Sequence, residues 1–370
     1  MPYNQQKIAE AIRAFEAGEI VVFIDDDDRE NEGDLIVAAV HCTPEKMAFI
    51  IRHTSGIVCA PMTSAEAHRL NLSPMVAENE APHSTAFTVS VDYRHGTTTG
   101  ISAEERCGTV RGLANPNSGA ADFVRPGHIF PLIAREGGVL MRSGHTEAAV
   151  DLCRSANLPP VGVISELMND DGTVMRGPQV VEFATKHGLK LVSVADLIAF
   201  RQRQETFVER VDAARIETAT GPAEAITYRT PWDPMHHVAL VYGDIRDGAG
   251  VPARMQIESA IDDVFGNPHN LRKAMAHIQK AGRGVIVYLR EGSAGVAHVA
   301  RRSGAGLRAD AAEGHATAER RREEWLEIGL GAQILRDLGI QSIELLATRE
   351  RHYVGLEGFG VEISKTVLLE

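Results

Sequence analysis

The chain has 370 residues, a length that predicts two domains with substantial hydrophobic cores. Its hydrophobic content of 44% and charged content of 24% exclude a disordered, collagenous or membrane protein. The formal net charge of -12 argues against a nucleic-acid partner, because phosphate contacts require clustered lysine and arginine. Neither an apolar run long enough to span a bilayer nor a signal peptide is present, so we expect a cytoplasmic protein without a membrane partner.

The first half mixes helical, hairpin and strand patterns, which predicts an α+β domain. Helical spacing predicts a helix over residues 5–17, and strands over 20–24 and 35–40 flank a charged loop. Cap patterns predict that helices begin at Pro44 and after Thr63. The elements predicted beyond residue 138 are a strand over 139–141, a helix capped by Thr146 and running through Cys153, a strand over 161–164, a helix over 180–187, and a helix capped by Ser193 and running through Arg203.

The pattern changes near residue 204, and we predict two domains, 1–203 and 204–370. Large apolar residues are few in the stretch 215–224. Alternating strands and helices after His237 predict a smaller α/β domain, with strands over 238–241, 285–289 and 343–346 and helices over 271–280 and 331–338. The Ala- and Arg-rich stretch 292–322 has weak periodicity.

The four cysteines are widely spaced and all lie in the first half, at positions 42, 59, 107 and 153. Their spacing matches neither a disulfide framework nor a zinc knuckle, so reduced thiols are expected. A cysteine-based metal site in the second half is excluded.

A strongly acidic loop is the first candidate site. Seven carboxylates lie within residues 25–34, between two apolar strands. A solvated acidic surface is one interpretation, and a cation site is the other. An EF-hand is disfavoured because no glycine occupies position six of the loop. Arg29 within the loop and the anchoring strands favour the cation site.

A second candidate site lies at a predicted helix start and contains Arg142, Gly144, His145 and Thr146. Free backbone N–H groups there favour a phosphate, and Arg142 could add bidentate charge. The alternative for His145 is a helix cap or another satisfied polar residue. A Glu–His pair would hold magnesium loosely and leave coordination positions for a substrate. The polar stretch 97–106 predicts a turn followed by a helix cap, and Cys59 predicts a buried core thiol.

Six segments together resemble 3,4-dihydroxy-2-butanone 4-phosphate synthase over about residues 5–203. They are Arg29-Glu30-Asn31-Glu32-Gly33-Asp34, Gly56-Ile57-Val58-Cys59, Thr99-Gly100-Ile101-Ser102-Ala103, Arg125-Pro126-Gly127-His128, Arg142-Ser143-Gly144-His145-Thr146-Glu147-Ala148 and Val163-Ile164-Ser165-Glu166. The resemblance implies a mixed-sheet α/β/α domain and a homodimer with its sites near the subunit interface. It also implies a carbon–carbon lyase of riboflavin biosynthesis that converts D-ribulose 5-phosphate to 3,4-dihydroxy-2-butanone 4-phosphate and formate. Magnesium is the implied cofactor, and manganese is a further candidate.

The resemblance also implies roles for individual residues. Glu30 and His145 resemble the protein ligands of magnesium. The expected substrate contacts are Arg29, Glu30, Asp34, Thr99, Ser102, Arg142, Ser143, Gly144, His145, Thr146 and Glu166. The expected catalytic residues are Asp25, Glu32, Cys59, His128 and Glu166. Enediol formation, loss of water, rearrangement and formate release need repeated proton transfer, and crowded carboxylates can supply it.

The second half resembles GTP cyclohydrolase II but departs from it where zinc is bound. The matching segments are His237-Val238-Ala239-Leu240-Val241-Tyr242-Gly243-Asp244, Asp263-Val264-Phe265-Gly266, Gly329-Leu330-Gly331-Ala332-Gln333-Ile334-Leu335 and Gly355-Leu356-Glu357-Gly358-Phe359-Gly360. The three zinc cysteines of that family are replaced by Ser259, Asn270 and Arg272, which cannot act as thiolate ligands. Residues 290–295 and Ile328 also depart from the family pattern.

We therefore expect the second domain to keep the cyclohydrolase fold without zinc or GTP hydrolysis. Its remaining role would be structural support, assembly, or a regulatory pocket for a nucleotide or flavin. Two alternatives stay open for the whole chain. One is a bifunctional enzyme that also hydrolyses GTP, and the other is a sugar-phosphate or nucleotide sensor without catalysis.

Overall fold

The computed structural model describes residues 5–25, 30–81, 85–231, 233–259, 263, 269–290, 329–347 and 360–369. The chain divides into two compact units between Phe200 and Arg201. The boundary predicted after residue 203 stays a prediction. Within the described ranges, no helix combines the length and apolar character needed to cross a bilayer.

The first unit contains seven α-helices and seven strands among its described residues. The helices are α1 (Gln5–Glu16), α2 (Pro44–His53), α3 (Ser64–Arg69), α4 (Ala103–Ala114), α5 (His145–Ser155), α6 (Pro178–His187) and α7 (Val194–Gln204), whose last residues extend past the division. The strands are β1 (Val21–Ile24), β2 (Gly33–Ala38), β3 (Cys59–Met62), β4 (Val91–Tyr93), β5 (Phe123–Ile133), β6 (Gly162–Glu166) and β7 (Lys190–Ser193).

These strands form one mixed sheet in the order β4-β5-β3-β6-β2-β1-β7. Strand β2 is antiparallel to β1 and β6, whereas β3–β5 and β1–β7 are parallel pairs. Side chains alternate between the sheet faces, so Leu35 and Val37 enter one core and Ile36 enters the other. The first core contains residues of α2, α4 and α6, and the second contains residues of α1, α5 and α7. The predicted α+β class with an α/β/α first domain is confirmed.

Local cap chemistry explains where several helices begin. Thr43, Thr63 and Ser193 each accept a hydrogen bond from a backbone N–H three residues later, at 3.1–3.3 Å. Gly188 ends α6 in the left-handed conformation, with φ 65°.

Two predictions around residue 140 were wrong. The stretch predicted as a strand over 139–141 contains a short 3-10 helix, Gly138–Leu140, because Gly137 and Gly138 have φ of 86° and 64° and turn the chain. Helix α5 begins at His145 with Gly144 as its N-cap, so Thr146 lies within the first turn and caps nothing.

The second unit contains a seven-stranded sheet in the order β14-β13-β11-β12-β10-β9-β8. Its strands are β8 (Glu209–Thr218), β9 (Gly221–Thr230), β10 (Asp233–Tyr242), β11 (Val251–Ile257), β12 (Gly284–Leu289), β13 (Ser342–Ala347) and β14 (Glu362–Leu368), and its described helices are α8 (His269–Ala281) and α9 (Gly331–Asp337). The apolar-poor stretch 215–224 lies in the β8–β9 hairpin, whose outer strand is exposed along nearly its whole length. The stretch 292–322 lies outside the described residues.

Candidate active site

The register of two antiparallel strands places two predicted site residues opposite each other. Asp34 of β2 pairs with Glu166 of β6, and Cys59 of the next strand pairs with Ile164. Directly opposed residues of an antiparallel pair point to the same face, with Cβ atoms about 5 Å apart. The Asp34 side chain is buried, whereas Glu166 is exposed and accepts a 3.1 Å hydrogen bond from Ser55 Oγ.

His145, the first residue of α5, lies next to the Asp34 side chain. Its Nδ1 atom lies 3.3 Å from Asp34 Oδ1, and both side chains are less than 10% exposed. Asp34 Oδ1 is buried and accepts no hydrogen bond from the described residues. A carboxylate oxygen and an imidazole, from a strand and a helix far apart in sequence, therefore meet in the protein interior.

The electrostatics of this place are unfavourable for negative charge. Burial raises the pKa of Asp34 well above its ordinary value, and the charges of Glu166, Glu30, Asp25 and Glu32 raise it further. Partial desolvation by the surrounding protein raises the pKa of Glu166, and the charges of Glu32 and Glu30 raise it further. The hydrogen bond from Ser55 acts in the opposite direction and lowers it. A bound cation would remove the repulsion among these groups.

The acidic loop is held by one of its own carboxylates. Asp25 is buried and accepts hydrogen bonds from the backbone N–H groups of Glu30 at 3.2 Å and Glu32 at 2.8 Å. Glu32 forms a 2.7 Å ion pair with Arg176, next to a backbone bridge between the same two residues. These contacts fix the backbone at Glu30 and Glu32 relative to Asp25 at the end of β1. Arg29 lies outside the described residues.

The segment before α5 is held by a largely buried ion pair. Arg142 Nη1 lies 2.6 Å from Glu147 Oε2, and Arg142 Nη2 donates to Thr85 Oγ1 at 3.0 Å. A Cβ atom on Gly144 would overlap the Arg142 guanidinium, so glycine is required for this arrangement. Ser143 is half-buried and Thr146 is buried. The first backbone N–H groups of α5 lack helical partners, and the Arg142 guanidinium beside them is paired with Glu147.

Cys59 is 8% exposed at the start of β3, as the core-thiol prediction required. Burial raises the pKa of its thiol, and the charges of Glu166 and Asp34 raise it further. The thiol therefore stays protonated at neutral pH and is a poor nucleophile.

A single carboxylate organises the loop that carries Thr99 and Ser102. Glu105 accepts hydrogen bonds from Thr98 N at 2.6 Å, Thr98 Oγ1 at 2.7 Å, Gly100 N at 3.1 Å and Ser102 Oγ at 3.0 Å, and Thr99 Oγ1 lies 3.4 Å away. Ser102 in turn accepts from Glu105 N, which completes a capping box at the start of α4. The predicted turn and helix cap are confirmed.

We expect Glu105→Gln to loosen this loop. The donors around the carboxylate lower the pKa of Glu105 to about 2, so its contribution to loop stability is present at neutral pH and is lost as the pH falls from about 4.5 towards 2. Hydrogen exchange should show faster exchange of the Thr98, Gly100 and Ser102 amides in the variant at neutral pH. Unchanged protection of those amides would contradict the organising role of Glu105.

His128 is held by an acidic residue that the sequence interpretation missed. His128 Nδ1 lies 2.8 Å from Asp92 Oδ2, and the backbone N–H of His128 donates to Asp92 Oδ1 at 2.8 Å. Asp92 lies on β4, 36 residues before His128 in the sequence. Only the pairing of β4 with β5 connects them, and no local sequence pattern signals it.

Contacts and electrostatic interactions among the described residues divide the predicted positions into three groups. The acidic group consists of Asp25, Glu30, Glu32, Asp34, Cys59, His145 and Glu166. The anion segment comprises residues 142–146. The His128 group consists of Thr99, Ser102 and His128, with Asp92 and Glu105.

The acidic group fits a divalent cation on the chemistry of its donors. It offers carboxylate oxygens and one imidazole, and the buried Asp34 Oδ1 atom accepts no hydrogen bond from the described residues. Within those same residues, no group of three or more His, Cys, Asp or Glu side chains is arranged so that it could hold a metal ion.

The second unit presents no thiolate at the three positions predicted to replace zinc ligands. Ser259 donates its backbone N–H to Asp263 Oδ2 at 2.9 Å. Asn270 and Arg272 are exposed residues of α8. Hydroxyl, amide and guanidinium groups are unsuited to replacing three cysteine ligands of zinc.

Two family models match the chain. The model described as 3,4-dihydroxy-2-butanone 4-phosphate synthase matches residues 9–200, and the model described as GTP cyclohydrolase II matches residues 209–368. Riboflavin biosynthesis protein RibBA of Bacillus cereus is 44% identical, and the alignment covers 98% of this chain and 93% of that protein. Bifunctional riboflavin biosynthesis protein RIBA 1 of Arabidopsis thaliana is 48% identical over 96% of this chain, which spans 67% of that longer relative.

Solved structures match both the whole chain and its first half. RibBX from A. baumannii, described as a two-domain 3,4-dihydroxy-2-butanone 4-phosphate synthase, has a TM-score of 0.78 at 36% identity and covers 97% of this chain and 99% of its own. A 3,4-dihydroxy-2-butanone 4-phosphate synthase in complex with two magnesium ions has a TM-score of 0.53 at 47% identity and covers 53% of this chain and 97% of its own.

Proposed function

Because the chain belongs to the riboflavin-biosynthesis family that joins a 3,4-dihydroxy-2-butanone 4-phosphate synthase domain to a GTP cyclohydrolase II domain, we propose that it converts D-ribulose 5-phosphate to 3,4-dihydroxy-2-butanone 4-phosphate and formate. The first unit carries this carbon–carbon lyase activity, and magnesium is its cofactor. The magnesium-bound relative supports the choice of metal.

One observation carries the proposal: the β2–β6 register sets Asp34 opposite Glu166, and His145 lies 3.3 Å from Asp34. The arrangement combines cation-binding oxygens, an imidazole and a carboxylate with a raised pKa beside an anion segment. A phosphorylated ketose needs these groups, since its phosphate must be bound and its carbon-bound proton removed.

The side chains of the acidic group have three proposed roles, which are metal binding, proton transfer and anchoring of the loop. Glu30 and His145 would hold magnesium, which supplies Lewis-acid stabilisation of an oxyanion when it is bound. Glu166 is exposed at the site and has a raised pKa, so it can accept a proton from the sugar and return it later. Glu32 is tied to Arg176 and is a second candidate. Asp25, whose carboxylate accepts two backbone N–H groups, holds the loop.

The substrate phosphate would bind at the anion segment. Arg142 faces Glu147 and Thr85, and the backbone N–H groups at the start of α5 supply further donors. Asp34 and Arg29 would contact the sugar oxygens. Thr99, Ser102 and His128 complete the predicted set, and Cys59 would contribute a protonated thiol.

We propose that the second unit has lost GTP hydrolysis and zinc. The residues at the three ligand positions support this, as does the description of the A. baumannii protein as a two-domain synthase. The Bacillus relative, named RibBA, supports the alternative of a second activity, so the two substrates must be tested side by side. A retained scaffold is the proposed role of the second unit.

A formate assay with each substrate tests these proposals. We expect formate from ribulose 5-phosphate, lost on addition of EDTA and restored by magnesium, and none from GTP. The zinc content of the purified chain should be far below one ion per chain. Stoichiometric zinc with formate release from GTP would overturn the proposal for the second unit. Binding of ribulose 5-phosphate without any formate would instead support the sensor.

We further propose a homodimer. Ile57 and Ile101 are each 52% exposed, and they lie next to the site segments, where an apolar surface needs cover. A mass of one chain by light scattering would contradict it. Manganese as a substitute metal and a cytoplasmic location stay predictions.

A further inference from the structure

The contact between His128 and Asp92 is built by close backbone packing. A Cβ atom on Gly127 would overlap the backbone of Val91 and Asp92, so glycine lets the two strands approach. The register of β4 and β5 shifts between Val91 and Asp92 at this point. As a result, one carboxylate receives both the backbone N–H and the ring nitrogen of His128. Asp92 is 7% exposed, whereas 41% of the His128 side chain is exposed.

The loop held by Glu105 closes over this pair. Gly100, with φ 85°, lies so close that a Cβ atom there would overlap Asp92 Oδ2 and crowd His128 Nδ1. The Arg106 guanidinium is buried nearby and donates to Gly56 O at 3.0 Å. Burial lowers the pKa of Arg106, and the negative charge of Asp92 acts against that shift.

We infer that Asp92 is a positioning residue that fixes His128 as the Nδ1–H tautomer and aims its Nε2 atom outward as a proton acceptor. A carboxylate has no proton to donate, so a 2.8 Å contact with Nδ1 requires the proton to be on the imidazole. The second hydrogen bond, from the His128 backbone, prevents the carboxylate from rotating away. This inference rests on the proposed function, in which His128 takes part in turnover.

A buried acid behind an imidazole has two separable effects. It selects the tautomer that leaves Nε2 unprotonated, and it stabilises the positive charge that forms when Nε2 takes a proton. Loss of the acid should therefore reduce kcat more than it changes KM, because substrate contacts stay in place.

The test compares Asp92→Asn with Asp122→Asn. Asp122 offers a matched control, because it also contacts a histidine, His95 Nε2, at 2.8 Å, but on the surface and outside the three groups. For Asp92→Asn we expect kcat for formate release to fall about 100-fold with KM changed less than threefold. Asp122→Asn should have the same kcat and KM as the unaltered protein. Asp92→Glu should have a kcat between those of Asp92→Asn and the unaltered protein.

A spectroscopic measurement keeps the inference testable without the reaction and without any variant. Long-range ¹H–¹⁵N correlation of the unaltered chain should show neutral His128 with its proton on Nδ1. The Nε2–H tautomer in that spectrum would overturn the inference, whether or not Asp92→Asn folds. Equal kcat for the folded Asp92→Asn chain and the Asp122→Asn chain would also overturn it. If the spectrum shows the Nδ1–H tautomer but the chain releases no formate, the proposed function fails while the positioning by Asp92 stands.

Discussion

Replacing His145 by alanine is expected to lower kcat for formate release by at least about 1,000-fold, equivalent to roughly 4 kcal/mol of transition-state stabilisation. The imidazole is the nitrogen donor of the acidic group, and its Nδ1 atom contacts the buried Asp34. Without it, the cation would lose a proposed ligand and Asp34 would lose a partner. Glu30→Ala should have an effect of similar size, because Glu30 is the other proposed ligand.

Metal binding can be measured apart from turnover. Manganese titration followed by electron paramagnetic resonance should show weaker binding in both variants. His95→Ala is the matched control, since His95 also pairs with an aspartate but lies on the surface. Circular dichroism and thermal unfolding would identify a folding defect in His145→Ala, whose side chain is buried. Rates within threefold of the unaltered chain in both variants would defeat the metal assignment.

Glu166→Gln should reduce kcat by about 100- to 10,000-fold, the usual contribution of one general acid or base. Glutamine keeps the shape and the hydrogen bond to Ser55 but cannot exchange a proton at neutral pH. Desolvation and the neighbouring carboxylates already raise the pKa of Glu166, as suits a group that both accepts and returns protons.

Two further measurements separate proton transfer from binding. Glu166→Gln should bind manganese nearly as well as the unaltered chain, in contrast to His145→Ala. Ser55→Ala removes the 3.1 Å hydrogen bond to Glu166 but keeps the carboxylate, so we expect it to lower kcat by less than about tenfold. If Glu166→Gln instead loses manganese binding, Glu166 would have to be reassigned as a metal ligand.

Local chemistry explains which parts of the fold could be predicted. Thr43, Thr63 and Ser193 cap helices as their spacing indicated, because a cap depends on atoms only three residues apart. The failure at residues 139–141 has an equally local cause. Three apolar residues fit a strand or a helical turn equally well, and the two glycines before them decided the outcome.

The site could be predicted only in part, for a different reason. Segments such as Arg142-Ser143-Gly144-His145-Thr146 carry recognisable chemistry, so their residues could be named in advance. Asp92 could not, since an isolated aspartate between Val91 and Tyr93 has no local signal. Its importance arises from the pairing of β4 with β5, and strand pairing is a long-range property.

The few large apolar residues of 215–224 made this stretch hard to distinguish from a linker between domains. Strand β8 lies at the edge of its sheet and faces solvent, so its composition resembles that of a linker. The sequence places few large apolar residues there because there is little core for them to enter. Composition alone could not distinguish such a hairpin from a domain junction.

The facing positions of Asp34 and Glu166 limit how this enzyme can be altered. Side chains of a strand alternate with a period of two, so one inserted residue in β2 or β6 would turn that strand's carboxylate to the opposite face of the sheet, away from its partner. One insertion would therefore be expected to abolish both catalysis and stable folding. We conclude that length changes suit the Ala219-Thr220 turn of the β8–β9 hairpin far better than these central strands.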